Sequence, residues 1–163
     1  MTGNTSLTVN KVIPIPGRQV QQAKQGLLFN LYRGDYDKVP DYNGLNPNLS
    51  GIASDFSLAN KVSDEKFSID YQGFINIPAD GIYTLSLNSD DGSKLFISEK
   101  LVIDNDGLHG PTTKSEDLAL GKGLHSIRIS FFENSGGNNL ELLWNTGNGK
   151  SEPVPAGAFF YYR

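Results

Sequence analysis

The chain has 163 residues, no cysteine and a formal net charge of -4, with 14 Lys and Arg against 18 Asp and Glu. The absence of cysteine excludes disulfides, thiolate metal sites and cysteine nucleophiles. The basic residues are scattered and outnumbered, which disfavours nucleic acid as a partner, and no apolar run approaches the length of a membrane span, so membrane insertion is not expected. Many glycines and aromatic residues between turn signals favour an all-β domain.

Residues 1–25 are predicted to form a lead-in segment or a linker. Pro14 and Pro16 remove backbone donors at alternate positions, so this segment could supply an edge strand at most. The domain itself is predicted over residues 26–163. Its first strand covers Gly26–Tyr32, which is rich in large apolar residues.

The segment 37–65 carries successive turn signals, including Asn43-Gly44 and Asn46-Pro47, and is predicted to be a long irregular loop. A loop of this length in a compact domain usually has a function or contains short elements. Tyr36 and Tyr42 lie at this loop rather than in a strand. They are therefore the aromatic candidates for stacking on a sugar ring, unless they only pack the loop down.

The middle of the chain alternates apolar and polar residues as strands do. Phe67–Ile77 is predicted to be a long strand, in which Gly73 indicates a bulge or a close approach by a neighbouring backbone. The turn at 78–81 is predicted to close a hairpin with the next strand, Ile82–Leu87. A second hairpin is predicted over 95–103. Later strands are predicted at Leu124–Phe132, Leu140–Trp144 and Phe159–Tyr162.

The apolar side of this alternation predicts an antiparallel β-sandwich with long irregular loops. The residues expected in its core are Leu28, Ile69, Tyr83, Leu85, Leu95, Ile127, Ile129, Leu142 and Trp144.

Two adjacent carboxylates, Asp90 and Asp91, lie where one predicted strand ends and the next begins. A hard cation such as calcium would gather both, because calcium binds six to eight oxygens from carboxylates, amides and carbonyls. Asp-Asp-Gly is also ordinary turn chemistry, since Asp bonds its own backbone and Gly accepts positive φ. The residues alone leave both interpretations open.

Two further polar segments contain possible ligands. The segment 104–111 lacks the alternating spacing of an EF-hand loop and is predicted to be a turn, with His109 solvated. The segment 133–139 is the second cluster, and it contains Asn134, Asn138 and Asn139.

Six motifs in order resemble the PA-fourteen family, which is named after a bacterial toxin protective antigen. They are Gly-Leu-Leu, Pro-Ala-Asp-Gly-Ile-Tyr-Thr-Leu, Ser-Asp-Asp-Gly-Ser-Lys-Leu-Phe-Ile, Leu-Val-Ile-Asp-Asn, Gly-Lys-Gly-Leu-His-Ser-Ile-Arg and Asn-Leu-Glu-Leu-Leu-Trp. The resemblance runs from Gly26 to Tyr162. It implies a β-sandwich of the kind found inside or beside glycosidases and in adhesins.

The resemblance also implies a site. In the sugar-binding members, paired aspartates joined by a cis peptide hold calcium, and vicinal sugar hydroxyls complete its shell. Asp90 and Asp91 occupy that position here, and the family's second calcium loop corresponds to Asn134–Asn139. The expected metal ligands are therefore Asp90, Asp91, Asn134, Asn138 and Asn139. The expected sugar-binding residues are Asp90, Asp91, Tyr36 and Tyr42.

The function expected from this resemblance is a non-catalytic, calcium-dependent carbohydrate-binding module of a larger secreted or surface protein. Its partner would be a glycan or a neighbouring glycosidase domain, and its place extracellular, periplasmic or at the cell surface. The alternative is a structural accessory domain that packs on a catalytic domain without binding sugar. An enzyme is not expected, because adjacent aspartates cannot straddle a glycosidic bond.

Overall fold

A computed structural model describes residues 12–162. The first eleven residues of the predicted lead-in, and Arg163, lie outside the described residues. Two antiparallel sheets pack against each other around one apolar core, which confirms the predicted all-β sandwich. Within residues 12–162 no helix is long and apolar enough to cross a membrane.

The larger sheet has eight strands, in the order β1-β12-β4-β9-β6-β7, and β2 pairs with β4 while carrying β3 on its other side. These strands are β1 Lys24–Gln25, β2 Leu27–Arg33, β3 Leu49–Ala53, β4 Phe67–Ile77, β6 Ser93–Ile97, β7 Lys100–Asn105, β9 Gly123–Glu133 and β12 Phe159–Tyr161.

The smaller sheet has four strands in the order β11-β10-β5-β8. They are β5 Gly81–Asp90, β8 Thr112–Leu120, β10 Asn139–Asn145 and β11 Glu152–Pro153. Two 3₁₀ helices, Leu58–Asn60 and Ala156–Ala158, complete the regular structure of the described residues.

Eight of the nine predicted core residues are buried. The exception is Leu28, which is only half-buried. In β2 the side chains of Leu27, Phe29 and Leu31 face the core, so Leu28 lies on the opposite face, away from the smaller sheet. The prediction of Leu28 as a core residue is therefore wrong, and its neighbour Leu27 takes that place. A continuous apolar run gives no clear alternation from which to choose between the two.

The predicted hairpin between β4 and β5 is also wrong. β4 pairs with β2, β9 and β12 in the larger sheet, whereas β5 pairs with β8 and β10 in the smaller one. The turn at 78–80 thus carries the chain from one layer of the sandwich to the other. The second predicted hairpin is confirmed, since β6 and β7 pair directly.

Gly73 lies inside a continuous pairing of β4 with β9, without a bulge. A Cβ at this position would collide with the backbone oxygen of Phe160 and with the side chain of Leu27. Of the two predicted explanations for this glycine, the close approach of a neighbouring backbone is confirmed.

The long segment 37–65 contains two short elements, β3 and the helix Leu58–Asn60. Its tip packs on the outer face of the larger sheet: the ring centroid of Tyr42 lies 4.9 Å from that of Tyr32, and the Tyr42 hydroxyl lies 2.7 Å from Ser68 Oγ. This loop therefore covers part of the outer sheet face.

The described part of the lead-in contacts the domain. The Ile15 amide donates to the Ala119 carbonyl at 2.9 Å, and the Arg18 amide donates to the Leu124 carbonyl at 2.8 Å. β1 then joins the edge of the larger sheet beside β12.

Candidate functional site

The acidic pair lies where the chain crosses from one sheet to the other. Asp90 ends β5 of the smaller sheet, and β6 of the larger sheet begins three residues later, at Ser93. The peptide bond between Asp90 and Asp91 is cis, as the resemblance implies. The two carboxylates therefore lie at one end of the sandwich, between its two layers.

The carboxylate of Asp91 is buried and fixed by two backbone amides. The amide of His109 donates to its Oδ1 at 3.1 Å, and the amide of Asn134 donates to its Oδ2 at 3.0 Å. These donors belong to the loop after β7 and the loop after β9. Asp91 thus joins two loops that are distant in sequence.

Asp90 is partly exposed at the rim of the site. Its backbone pairs with Asn139 of β10, and a Cβ at Gly137 would lie 3.5 Å from its Oδ2. The second predicted loop therefore passes close to this carboxylate. Partial burial raises the pKa of Asp90, and the neighbouring charge of Asp91 raises it further.

Glu133 is the third member of the cluster, and it was not among the residues predicted from the sequence to bind metal. Oxygens of Asp90, Asp91 and Glu133 all lie within 4.8 Å of one another. The Glu133 side chain is fully buried, and neither of its carboxylate oxygens has a hydrogen-bond partner among residues 12–162. Among the described residues, this buried acid has neither a hydrogen-bond partner nor an ion-pair partner.

Burial raises the pKa of Glu133 to about 7, and the charges of Asp91 and Asp90 contribute in the same direction. The backbone amide of Asp91 acts in the opposite sense, although its geometry falls short of a hydrogen bond. The sequence places Glu133 directly after the predicted strand Leu124–Phe132, at the start of the polar segment 133–139, so nothing in that pattern indicated a buried position.

Gly92 has a packing role beside the acidic pair. A Cβ at this position would lie 2.5 Å from the Phe132 ring and 2.7 Å from the Gly107 amide nitrogen. Its carbonyl accepts a hydrogen bond from the Phe132 amide at 3.0 Å. The glycine of Asp-Asp-Gly therefore lets β9 and the loop after β7 approach the carboxylates.

Asn134 and Asn138 direct their side chains differently. The Asn134 amide group donates to Asp35 Oδ1 at 2.9 Å and to the Tyr36 carbonyl at 2.7 Å, so it fixes the loop after β2 beside the site. Asn138 accepts from Lys61 Nζ at 3.0 Å and donates to the Asp64 carbonyl at 2.9 Å. The Asn138 side-chain oxygen, which is the atom that would bind a metal, is thus already engaged by Lys61.

The two candidate tyrosines lie in different places. Tyr36 is held next to Asn134 through its backbone, and its ring lies over Gly34. Tyr42 is packed between Tyr32 and Arg128 on the outer face of the larger sheet. Of the two, only Tyr36 has a described contact to a residue that touches the carboxylate cluster.

Polar groups next to the acidic pair form hydrogen bonds that fix the surrounding backbone. Ser89 and Ser93 flank the acidic pair and its glycine, and their hydroxyl groups form a hydrogen bond with an oxygen–oxygen distance of 2.6 Å. The Asn105 side chain donates to the Ser89 hydroxyl at 3.1 Å. His109 is half-buried rather than solvated, and its two ring nitrogens each lie 2.8 Å from a backbone carbonyl. The loop that donates to Asp91 is thereby fixed.

The donor set fits a hard cation. All three side chains offer carboxylate oxygens, as calcium prefers, and an uncompensated buried carboxylate is costly unless it is paired or coordinated. Within residues 12–162 no basic side chain forms an ion pair with any of the three acids. A bound divalent cation would supply the missing positive charge.

The sequence was compared with protein-family models and with curated proteins. The family model for the PA14 domain matches residues 23–158. No curated protein matches the sequence.

Many solved structures share the fold, and three of them are compared below. An anti-sigma factor domain-containing protein from Clostridium clariflavum is 24% identical, with a TM-score of 0.70 over 96% of this chain and 53% of that one. A PA14 sugar-binding domain from an RTX adhesin is 16% identical, with a TM-score of 0.69 over 85% of this chain and 99% of that domain. The Epithelial Adhesin 6 A domain from Candida glabrata, in complex with Galb1-3GlcNAc, is 15% identical, with a TM-score of 0.65 and coverage of 88% and 89%. The chain thus spans about half the length of the first of these proteins.

Proposed function

The chain belongs to the PA14 domain family, and on that basis we propose that it is a non-catalytic carbohydrate-binding module whose sugar site is organised by calcium. The observation that carries this proposal is the cluster of Asp90, Asp91 and Glu133, whose oxygens lie within 4.8 Å of one another. Glu133 in particular is buried with both oxygens unpartnered among the described residues.

Asp90, Asp91 and Glu133 would hold the ion, and the loop 134–139 would supply further oxygens. Asn139 pairs with Asp90 across the strands, and Asn134 is already bonded to Asp91 through its backbone. The Asn138 side-chain oxygen would join only after releasing Lys61. When bound, calcium supplies positive charge and coordination positions that sugar hydroxyls can occupy.

Asp90 would then form the sugar-facing rim, because it is the partly exposed member of the cluster, whereas Asp91 and Glu133 are buried. Tyr36 is the aromatic candidate beside this rim, through its contact with Asn134. Tyr42 packs on Arg128 on the outer face of the larger sheet and has no described contact with this rim. A monosaccharide has few atoms to bury, so dissociation constants from roughly high micromolar to millimolar are expected.

A role in catalysis is not proposed. The two acids of a glycosidase stand about 5 to 10 Å apart, on either side of the bond that they cleave. In this protein oxygens of the three carboxylates lie within 4.8 Å of one another, which is closer than that spacing. The similar adhesin domains support a place outside the cell or on its surface, with a glycan as partner and a larger parent protein.

A glycan array probed with the chain in millimolar calcium and in excess chelator tests the proposal. Chelator-sensitive binding to sugars with vicinal hydroxyls is the expected result, and Asp90→Asn should abolish it. Asp104→Asn is a matched control, because Asp104 is an exposed acid of β7 outside the cluster.

Calcium binding without any sugar binding would instead support the accessory role, in which the ion only stabilises the fold. Absence of both would overturn the proposal. Isothermal titration with calcium alone separates these two outcomes.

A further inference from the structure

A second concave surface lies on the outer face of the larger sheet, away from the carboxylate cluster. We call it the sheet groove; its volume is about 470 Å³, and its lining includes Leu28, Gln72, Phe74, Phe96, Glu99 and Arg128. Four of these residues form one row across four strands, because Leu28 pairs with Gln72, Gln72 with Arg128, and Arg128 with Phe96. The groove is thus built on paired strands.

Arg128 is held rigidly at one wall of this groove. Its Nε donates to Asp70 Oδ1 at 2.7 Å, and the Asp70 carboxylate is itself buried and bonded by Ser130 and Gln72. The guanidinium carbon lies 5.4 Å from the Tyr42 ring centroid and 5.6 Å from that of Phe96. Among residues 12–162 only the Nε of this guanidinium has a hydrogen-bond partner, so its Nη groups are available as donors.

The groove combines these polar atoms with aromatic surface. Phe74 and Phe96 are both half-buried and offer ring surface, while the Gln72 side-chain oxygen and the Glu99 carboxylate are acceptors. Apolar and aromatic walls with a few fixed polar groups are typical of small-molecule sites, and the volume lies within their usual range. A pyranose ring matches this lining, because its C–H face packs on aromatic rings while its hydroxyls both donate and accept.

The charges favour a neutral ligand. The positive charge of Arg128 is compensated by the buried Asp70, and the exposed carboxylate of Glu99 adds a negative charge at the rim. An anionic sugar such as a uronate would therefore gain little from the guanidinium and would be repelled by Glu99. A neutral ligand can use the Arg128 donors without this cost.

We propose that the sheet groove is a calcium-independent binding site for a neutral saccharide. It is separate from the carboxylate cluster: Phe96 lies five residues from Asp91, and Arg128 lies five residues from Glu133, which is about 16 Å along an extended strand. The groove contains none of the predicted metal ligands.

The test is titration of the full chain with neutral and uronate-containing oligosaccharides in excess chelator, followed by backbone amide NMR shifts. Neutral oligosaccharides should shift amides of β4, β6 and β9, and Phe96→Ala should weaken binding at least about tenfold. Ile82→Ala is the matched control, because Ile82 is an exposed apolar residue of the smaller sheet. It should leave the affinity unchanged.

Gln72→Ala provides a second variant if Phe96→Ala does not fold, since the Gln72 side chain is exposed. It should weaken binding several-fold. No binding in chelator, preference for uronates, or equal binding by Phe96→Ala would each overturn the proposal. Because calcium is absent from the assay, none of these results depends on the function proposed for Asp90 and Asp91.

Discussion

A carboxylate that is fully buried without a hydrogen-bond partner, as Glu133 is, raises the free energy of the folded chain whenever it is charged. Protonation lowers that cost, which is why its pKa rises to about 7. Coordination of a cation lowers it as well, and at the same time opposes the repulsion from Asp90 and Asp91. Glu133 therefore couples the stability of the fold to the occupancy of the proposed metal site.

Glu133→Gln should separate the two effects. Without calcium at pH 8, the variant should be more stable than the parent by about 1–3 kcal/mol, because an uncompensated buried charge is removed. Its calcium affinity should be at least about tenfold weaker, since affinity depends on the number of charged ligands. Thermal unfolding with calcium and with chelator measures both. Glu116→Gln, an exposed acid of β8, is the control.

The stabilisation by calcium should also depend on pH. The pKa of Glu133 is raised from 4.5 to about 7, so the folded state favours the protonated side chain. Its contribution to the stability of the metal-free protein is therefore greatest below pH 4.5 and is lost as the pH rises through about 7. Calcium needs the charged form, and its stabilising effect should therefore grow between pH 5.5 and 8, approximate limits set by that pKa. Asp90, whose pKa is also raised, acts in the same direction.

Thermal unfolding across this pH range, with calcium and with chelator, checks the prediction. A calcium effect that is constant over the range would mean that Glu133 is not a ligand.

At the scale of strands, the alternation of apolar and polar residues predicts the positions of the strands well. It predicts their pairing poorly. Phe67–Ile77 was identified to the residue as β4, because its alternation is long. The partner of β4 could not be deduced in the same way, since a turn such as 78–80 can close a hairpin or carry the chain to the second sheet. Pairing depends on contacts with β9 and β10, which lie far along the chain.

Alternation fails in two ways: it does not predict the exposed strand β8, and in β2 it does not predict which side faces the core. The first six residues of β8 are polar and mostly exposed, so Thr112–Leu120 has no apolar alternation over most of its length, and the sequence analysis predicts no strand there. In β2, Leu27 and Leu28 are equally apolar, and only packing selects Leu27 for the core.

The site shows the same limit. Asp90 and Asp91 were identified from a motif, whereas Glu133 reaches them only through the pairing of β9 beside β6.

The crossover between β5 and β6 depends on the small size of Gly92. Gly92→Ala should destabilise the protein by about 1–3 kcal/mol, because the added Cβ would overlap the Phe132 ring and the backbone of Gly107. Gly110→Ala is the matched control in the next loop, where a Cβ meets no atom within 4 Å. Urea unfolding of both variants measures the difference. Equal stability of the two variants would contradict the packing role.

For the whole molecule, the carboxylate cluster connects segments that are otherwise held by separate strands. Asp91 bonds the loop after β7 through His109 and the loop after β9 through Asn134, while Glu133 ends β9 itself. The opposite end of the sandwich, with the turns at 78–80 and 121–122, contains none of these groups. Calcium should therefore stabilise one end of the sandwich against local opening.

Amide hydrogen exchange distinguishes this from a general effect. A ligand slows only those opening reactions that disrupt its site, so protection in calcium should increase at 88–93, 105–111 and 132–139, and change less at 78–80 and 121–122. Glu133→Gln should reduce the increase at all three segments together, because they share one ion. Protection that rises equally at both ends would indicate global stabilisation alone. Protection confined to 88–93 would mean that the acidic pair binds calcium without the other two segments.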